Sequence, residues 1–214
     1  MRVSSSYKTL NRVAQARIRR LRALGLRVGT STAPEANRLL AYLAVETLNH
    51  WALFVRSYIL SLSLRPSRCA GGRVALTYPG ISVPNDVLVL AMQLLRPTKR
   101  PSANGTWARR DEPAWHDTYS LLRCATHLGT SNLVDIQAAL SIGTRVFTDL
   151  PVFRNFFGHR NEASYRAARS LALHYAIPAG HPGEILRARP SGRPYPLIVD
   201  WLDDLGVVVE LLCQ

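Results

Sequence analysis

Apolar side chains recur every three or four residues through most of this chain, which is the spacing of one face of an α-helix. This pattern occurs in segments 6–26, 32–62, 83–95, 115–127, 131–148, 149–176 and 197–213. Each segment begins or ends at a Gly- or Pro-rich stretch or at a candidate helix cap. Only the run 73–78 is suited to a short strand. The sequence therefore predicts an all-α fold, and its 214 residues suffice for a single domain, 1–214, with a sizeable core.

Three of these segments bear on function. Segment 1–30 holds a basic N-terminal helix, which Gly25 and Gly29 are expected to end; its first 27 residues carry eight Arg and Lys and no acid. These cations either contact a nucleic-acid backbone or cover apolar surface with their stems. Segment 149–176 is expected to form one helix, with Asp149 as its cap and Pro151 in its first turn. Segment 197–213 is expected to form the C-terminal helix.

The charge balance favours a polyanionic partner. The chain has 27 Lys and Arg against 14 Asp and Glu, a formal net charge of +13. Nucleic acid, here RNA, is the leading interpretation, while an anionic membrane surface or an acidic protein are alternatives. A membrane span is not expected, because the longest apolar stretch, 39–64, is interrupted by polar and charged residues (Glu46, Asn49, His50 and Arg56).

The cysteines bear on cellular location and metal binding. Cys69, Cys124 and Cys213 stand far apart and match neither a zinc spacing nor an even disulfide framework. The first residues lack the uninterrupted apolar core of a signal peptide. We therefore expect a cytoplasmic protein, and predict neither a metal site nor a cofactor.

Two basic loops are candidates for holding RNA. In the first, 96–113, arginines surround Trp107, a ring that either stacks on bases or anchors the loop to the core. The second follows 149–176 and contains further arginines. Arg160, which directly follows His159, is a further candidate. The predicted RNA-binding set is Arg100, Trp107, Arg109, Arg110, Arg160, Arg187 and Arg189.

The residues best suited to chemistry are Arg154, Asn155 and His159. On an ideal helix Asn155 and His159 share a face, whereas Arg154 lies about 140° round the axis from His159. Near a helix start, a departure from ideal pitch would let the guanidinium and the imidazole reach one phosphate. The alternative is an exposed polar face opposite the phenylalanines of the same segment.

These residue types suit metal-free cleavage of RNA. A neutral imidazole at His159 can accept the proton of a ribose 2′-hydroxyl, which then attacks the neighbouring phosphorus. The forked guanidinium of Arg154 can bind the charge that develops on the phosphoryl oxygens, and Asn155 can orient the imidazole or a phosphate oxygen. The leaving 5′-oxygen needs a proton, which a second imidazole from a symmetry partner would supply. The chemistry therefore favours a homodimer with the active site at its interface.

The stretch Arg154-Asn155-Phe156-Phe157-Gly158-His159 resembles the R-x(4–6)-H motif of HEPN domains. The resemblance is sharp over residues 150–165 and only architectural elsewhere. It implies a HEPN-like helical bundle with additional helices and basic loops, dimerisation that brings two motifs into one cleft, and metal-independent endoribonuclease activity. By the same resemblance Arg154 and His159 are catalytic and Asn155 supports them. Members of this family commonly serve in toxin–antitoxin and antiviral defence systems, so an antitoxin or a defence-complex protein is an expected partner.

One position departs from the family pattern. The subgroup paired with nucleotidyltransferase antitoxins carries a Tyr two residues after the His, where this chain has Asn161. A different antitoxin, or none, is therefore expected. Two further functions remain open from the sequence: a non-catalytic RNA-binding or scaffold subunit of a defence complex, and a DNA-binding regulator with a helix-turn-helix around Gly129.

Overall fold

Helices make up the regular secondary structure of the computed structural model, which describes residues 1–178 and 180–214. They are α1 (Tyr7–Arg27), α2 (Ala33–Ser61), α3 (Pro84–Leu95), α4 (Thr118–Leu128), α5 (Leu133–Leu140), α6 (Val146–His159), α7 (Glu162–His174), α8 (Pro182–Arg187) and α9 (Leu197–Cys213). Over these described residues no strand forms, and the run 73–78 contributes only isolated bridges. The predicted all-α class is confirmed.

The chain divides into two compact units, each made of separate segments. Unit 1 comprises Met1–Ala14, Trp51–Ile142 and Val208–Gln214, and unit 2 comprises Gln15–His50 and Gly143–Val207. The divisions therefore fall inside α1 and α9 and within α2. The single domain 1–214 stays a prediction.

Stacked aromatic rings and an ion pair to a buried carboxylate stabilise unit 1. The ring of Tyr7 stacks on that of Tyr58 at 4.4 Å between centroids. The buried carboxylate of Glu112 accepts bonds from Arg56 Nε at 2.6 Å and from Trp115 Nε1 at 2.8 Å. Burial alone raises the pKa of Glu112, but these donors outweigh it and leave that pKa below its usual value.

In unit 2, α1 runs past Gly25, so the prediction that Gly25 ends this helix is wrong. A Cβ at this position would lie 2.9 Å from Val199 Cγ2 and 3.8 Å from Leu202 Cδ1, both on α9. The glycine is therefore needed for close packing of α9 on α1. The helix ends at Arg27 and continues into a 3₁₀ turn, Val28–Thr30.

The predicted helix 149–176 is two helices, α6 and α7, and the predicted helix 131–148 ends early, at Leu140. Gly143, with φ of 75°, lies in the turn before α6, and the Thr144 hydroxyl accepts the Val146 N–H at 3.3 Å. Helix α6 therefore begins before Asp149. Asp149 is not its cap, and Pro151 lies inside it rather than in its first turn.

Helix α8 replaces part of the predicted basic loop. The His181 side chain accepts the Gly183 N–H through Nδ1 at 3.0 Å, and Glu184 Oε2 accepts the His181 N–H at 2.9 Å. Pro182 occupies the first helical position. This reciprocal capping starts a helix at residues that resemble a helix-breaking cluster in the sequence.

Among residues 1–178 and 180–214, no helix is both long enough and apolar enough to span a membrane.

Candidate active site

The predicted catalytic residues lie on the last two turns of α6. Phe153 and Phe156 are buried on one side of this segment, and the Phe153 ring lies 5.8 Å from that of Trp201 on α9. This packing turns Arg154, Asn155 and His159 towards solvent. The structure therefore places all three predicted residues on the exposed side of one helix.

Arg154 and His159 do not contact each other within the chain. The Arg154 guanidinium donates to Asn155 Oδ1 at 3.2 Å. Since α6 is helical through His159, Arg154 and His159 point about 140° apart and are offset by about 7.5 Å along the axis. The expectation that the motif lies near a helix start, where distorted pitch would bring the two groups together, is wrong.

His159 is the last residue of α6, and two local features end the helix there. Arg160 adopts the left-handed conformation, with φ of 47°. The Asn161 side chain then accepts the Ser164 N–H at 2.9 Å and caps α7. The chain therefore changes direction immediately after the imidazole, and Arg160 lies in the connection.

A buried carboxylate ties α6 to the end of α7. Asp149 accepts hydrogen bonds from Arg145 Nε at 2.9 Å, from the Tyr175 hydroxyl at 2.6 Å and from the Thr148 hydroxyl at 2.8 Å. Burial alone raises the pKa of Asp149, but the bonds from Arg145, Tyr175 and Thr148 outweigh it, so this pKa lies below its usual value. The network fixes α6 upstream of the motif.

A groove lies beside the last turn of α6. Its lining residues come from α2, from α6 and from the residues that directly follow α6 and precede α8: Pro34, Asn37, Arg38, Phe156, Phe157, Arg160 and His181. Its volume is about 320 Å³. Of these residues only Arg160 belongs to the predicted RNA-binding set. The others were missed because α2, α6 and α8 are distant in sequence.

The other predicted RNA-binding residues of unit 2 lie at the end of α8 and directly after it. Arg187, the last residue of α8, donates to the Gly29 carbonyl at 3.4 Å. Arg189 is exposed. Arg187 also lines a cavity of about 110 Å³ that shares Asn37 and His181 with the groove.

The remaining predicted RNA-binding residues belong to unit 1. Trp107 is half-buried and lines a cavity of about 240 Å³ together with Arg100. Arg109 pairs with Glu112 at 3.5 Å, and Arg110 is exposed. This environment favours the interpretation of Trp107 as a loop anchor over that of a fully exposed stacking ring.

Gly158 offers a direct test of space beside the motif. A Cβ at this helical position would meet no atom within 4 Å. Glycine inside a helix is less favourable than alanine by about 0.5–1 kcal/mol. We therefore expect Gly158→Ala to raise the free energy of unfolding by about that amount in urea titrations. A loss of stability would show that the turn at 158–160 is tighter than described.

No group of three or more His, Cys, Asp or Glu side chains suited to holding a metal ion occurs in the described part of the chain. Comparisons of the chain with protein-family models, with curated proteins and with solved structures found no match.

Proposed function

We propose that this protein is a metal-independent endoribonuclease of the HEPN type, acting as a toxin or in antiviral defence. The observation that carries the proposal is the exposed Arg154, Asn155 and His159 on the last two turns of α6, in the order and spacing of the R-x(4–6)-H motif. The formal charge of +13 supports RNA as the partner. A cytoplasmic location suits this activity.

In the proposed reaction, the imidazole of His159 accepts the proton of a ribose 2′-hydroxyl. The 2′-oxygen then forms a bond to the adjacent phosphorus, while the bond from that phosphorus to the 5′-oxygen breaks. Arg154 binds the phosphoryl oxygens as charge develops on them, and Asn155 holds the guanidinium in place. The products are a 2′,3′-cyclic phosphate and a 5′-oxygen, which must take up a proton to become a hydroxyl.

A homodimer supplies that proton and also accounts for the direction of the side chains. Because Arg154 and His159 of one helix point about 140° apart, one helix alone does not direct both at a single phosphate. In a two-fold pair, each motif can contribute to one shared cleft. The second His159, when protonated, then acts as the acid for the leaving oxygen.

The same geometry favours a second candidate, a non-catalytic RNA-binding or scaffold subunit of a defence complex. Within one chain the Arg154 guanidinium donates a hydrogen bond to Asn155, and His159 lies apart from it on the exposed helix surface. An exposed polar surface of this kind can bind RNA without any chemical step. Such a subunit retains RNA without cutting it. An antitoxin or a defence-complex protein is a proposed partner for either function.

Cleavage of single-stranded RNA in EDTA tests the proposal. We expect the wild-type protein to produce fragments with 2′,3′-cyclic phosphate or 3′-phosphate ends, identified by mass spectrometry, and the Arg154→Ala/His159→Ala double variant to produce none. Light scattering is expected to give the mass of a dimer. RNA retention without cleavage would contradict the nuclease and support the scaffold subunit.

A further inference from the structure

The groove beside α6 combines cations with exposed ring surface. Arg38 and Arg160 are both exposed, and no ion pair to either guanidinium is found among residues 1–178 and 180–214. The groove lining contains no Asp or Glu. A guanidinium outside an ion pair can bind a phosphate through two parallel hydrogen bonds. The groove is therefore suited to an anion.

Aromatic side chains line part of the groove. Phe156 is 8% exposed, and its ring lies 4.9 Å from that of Phe157, which is more exposed. The His181 ring meets the Phe156 ring edge-on at 5.5 Å. Unstacked RNA bases bind to such partly exposed rings. The ligand that fits the groove therefore carries a flat ring as well as a negative charge.

A hydrogen bond orients one polar group of the groove, the His181 imidazole. His181 Nδ1 accepts the Gly183 N–H, so in the neutral ring the proton lies on Nε2, which remains a donor. Gly183 also lets Asn37 approach, because a Cβ there would lie 2.5 Å from Asn37 Oδ1. The volume of about 320 Å³ is at the small end of the range for ligand pockets, about 300–1,000 Å³. One nucleotide is an occupant of suitable size.

We propose that this groove binds one nucleotide of the RNA strand, next to the nucleotide whose 2′-hydroxyl is attacked. Arg38 and Arg160 hold its phosphate, and its base stacks on Phe157. Arg160 lines this groove and directly follows His159 in the chain, which places the groove beside the end of the motif. The inference rests on the proposed function, since it assigns a binding site for the same substrate.

Binding of a fluorescently labelled RNA with 2′-O-methyl groups, which has no attacking hydroxyl, separates binding from cleavage. We expect Arg38→Ala and Arg160→Ala each to weaken binding about tenfold. The double variant should reduce the slope of log affinity against log salt by about 0.7, since the two arginines hold one phosphate and each phosphate contact on a single strand contributes about 0.7. Phe157→Leu, which keeps an apolar side chain but loses the ring, should weaken binding about fivefold or more.

Arg169→Ala is the matched control, because Arg169 is an exposed arginine on α7 outside this groove. Circular dichroism and thermal unfolding of every variant check that it folds. Affinities of Arg38→Ala and Arg160→Ala equal to that of Arg169→Ala would overturn the proposal.

The two proposals fail in different ways. Metal-free cleavage that depends on His159, together with unchanged binding in Arg38→Ala, would reject the groove and keep the nuclease. If Arg38→Ala binds RNA more weakly than the wild type, and the wild type does not cut RNA, the groove is kept and the nuclease is rejected. If both proposals hold, Arg38→Ala should raise KM more than it lowers kcat.

Discussion

Replacing His159 by alanine is expected to lower the rate of metal-free RNA cleavage by a factor of about 10²–10⁴, the usual contribution of a positioned acid or base. In the proposed dimer the substitution removes both the base and the acid, so the larger factor is expected. Single-turnover cleavage of an end-labelled RNA in EDTA measures the effect.

His174→Ala is the matched control for this substitution. His174 is exposed and is the last residue of α7, as His159 is of α6, so the two replacements remove the same side chain from equivalent helix ends. The control should cut RNA at the wild-type rate. If His159→Ala also does so, His159 has no chemical role.

Asp149→Ala is expected to have the largest effect on stability, about 3 kcal/mol. This is the low end of the range for breaking a buried ion pair, about 3–5 kcal/mol, because Arg145 has 43% of its side chain exposed and can turn to water. The substitution also removes the acceptor of the Tyr175 hydroxyl. Urea unfolding followed by circular dichroism gives the free-energy difference.

Glu162→Ala is the control for this loss. Glu162 pairs with Arg166 on the surface of α7, where both side chains are mostly exposed. Exposed ion pairs of this kind contribute about 0.3–0.5 kcal/mol on helices. Equal losses for the two variants would mean that the bonds to Asp149 do not hold α6 in place.

The same carboxylate links stability to pH. The pKa of Asp149 is lower in the folded protein than in the unfolded chain, so its contribution is complete above the unfolded value, about 3.9. It is lost as the pH falls through the unfolded pKa and then through the lower folded pKa. Urea titrations between pH 6 and pH 3 should therefore show a smaller loss of stability in Asp149→Asn than in the wild type. Glu112 adds a dependence of the same sign in both proteins.

Helices with one uninterrupted apolar stripe were predictable from the sequence. Helix α9 has the predicted bounds, and α3 begins one residue after the predicted start. The division of 149–176 is not apparent in the sequence because apolar spacing continues across Asn161, although asparagine is itself a favoured N-cap residue. Helix α8 was missed because Pro182 and Gly183 suggest a break, whereas proline at the first helical position followed by Glu184 favours a start.

The sequence predicted only the part of the site whose residues lie close together along the chain. Arg154, Asn155 and His159 lie within six residues, and their exposure follows from the burial of Phe153 and Phe156. The groove was not predictable, because it joins α2, α6 and α8 through tertiary packing that no spacing rule describes. The sequence suggests only a helix cap at Asp149, because its partner Tyr175 lies 26 residues away.

The backbone conformation of Arg160 limits how far the stability of this protein can be raised. Its left-handed conformation is one that glycine adopts at little cost and that other residues adopt at a cost of order 1–3 kcal/mol. This position is nevertheless occupied by arginine, whose long cationic side chain lines the groove beside the motif. Under the proposed function, a change that relaxes this turn also releases the RNA strand. Thermostability and substrate affinity thus compete at a single position.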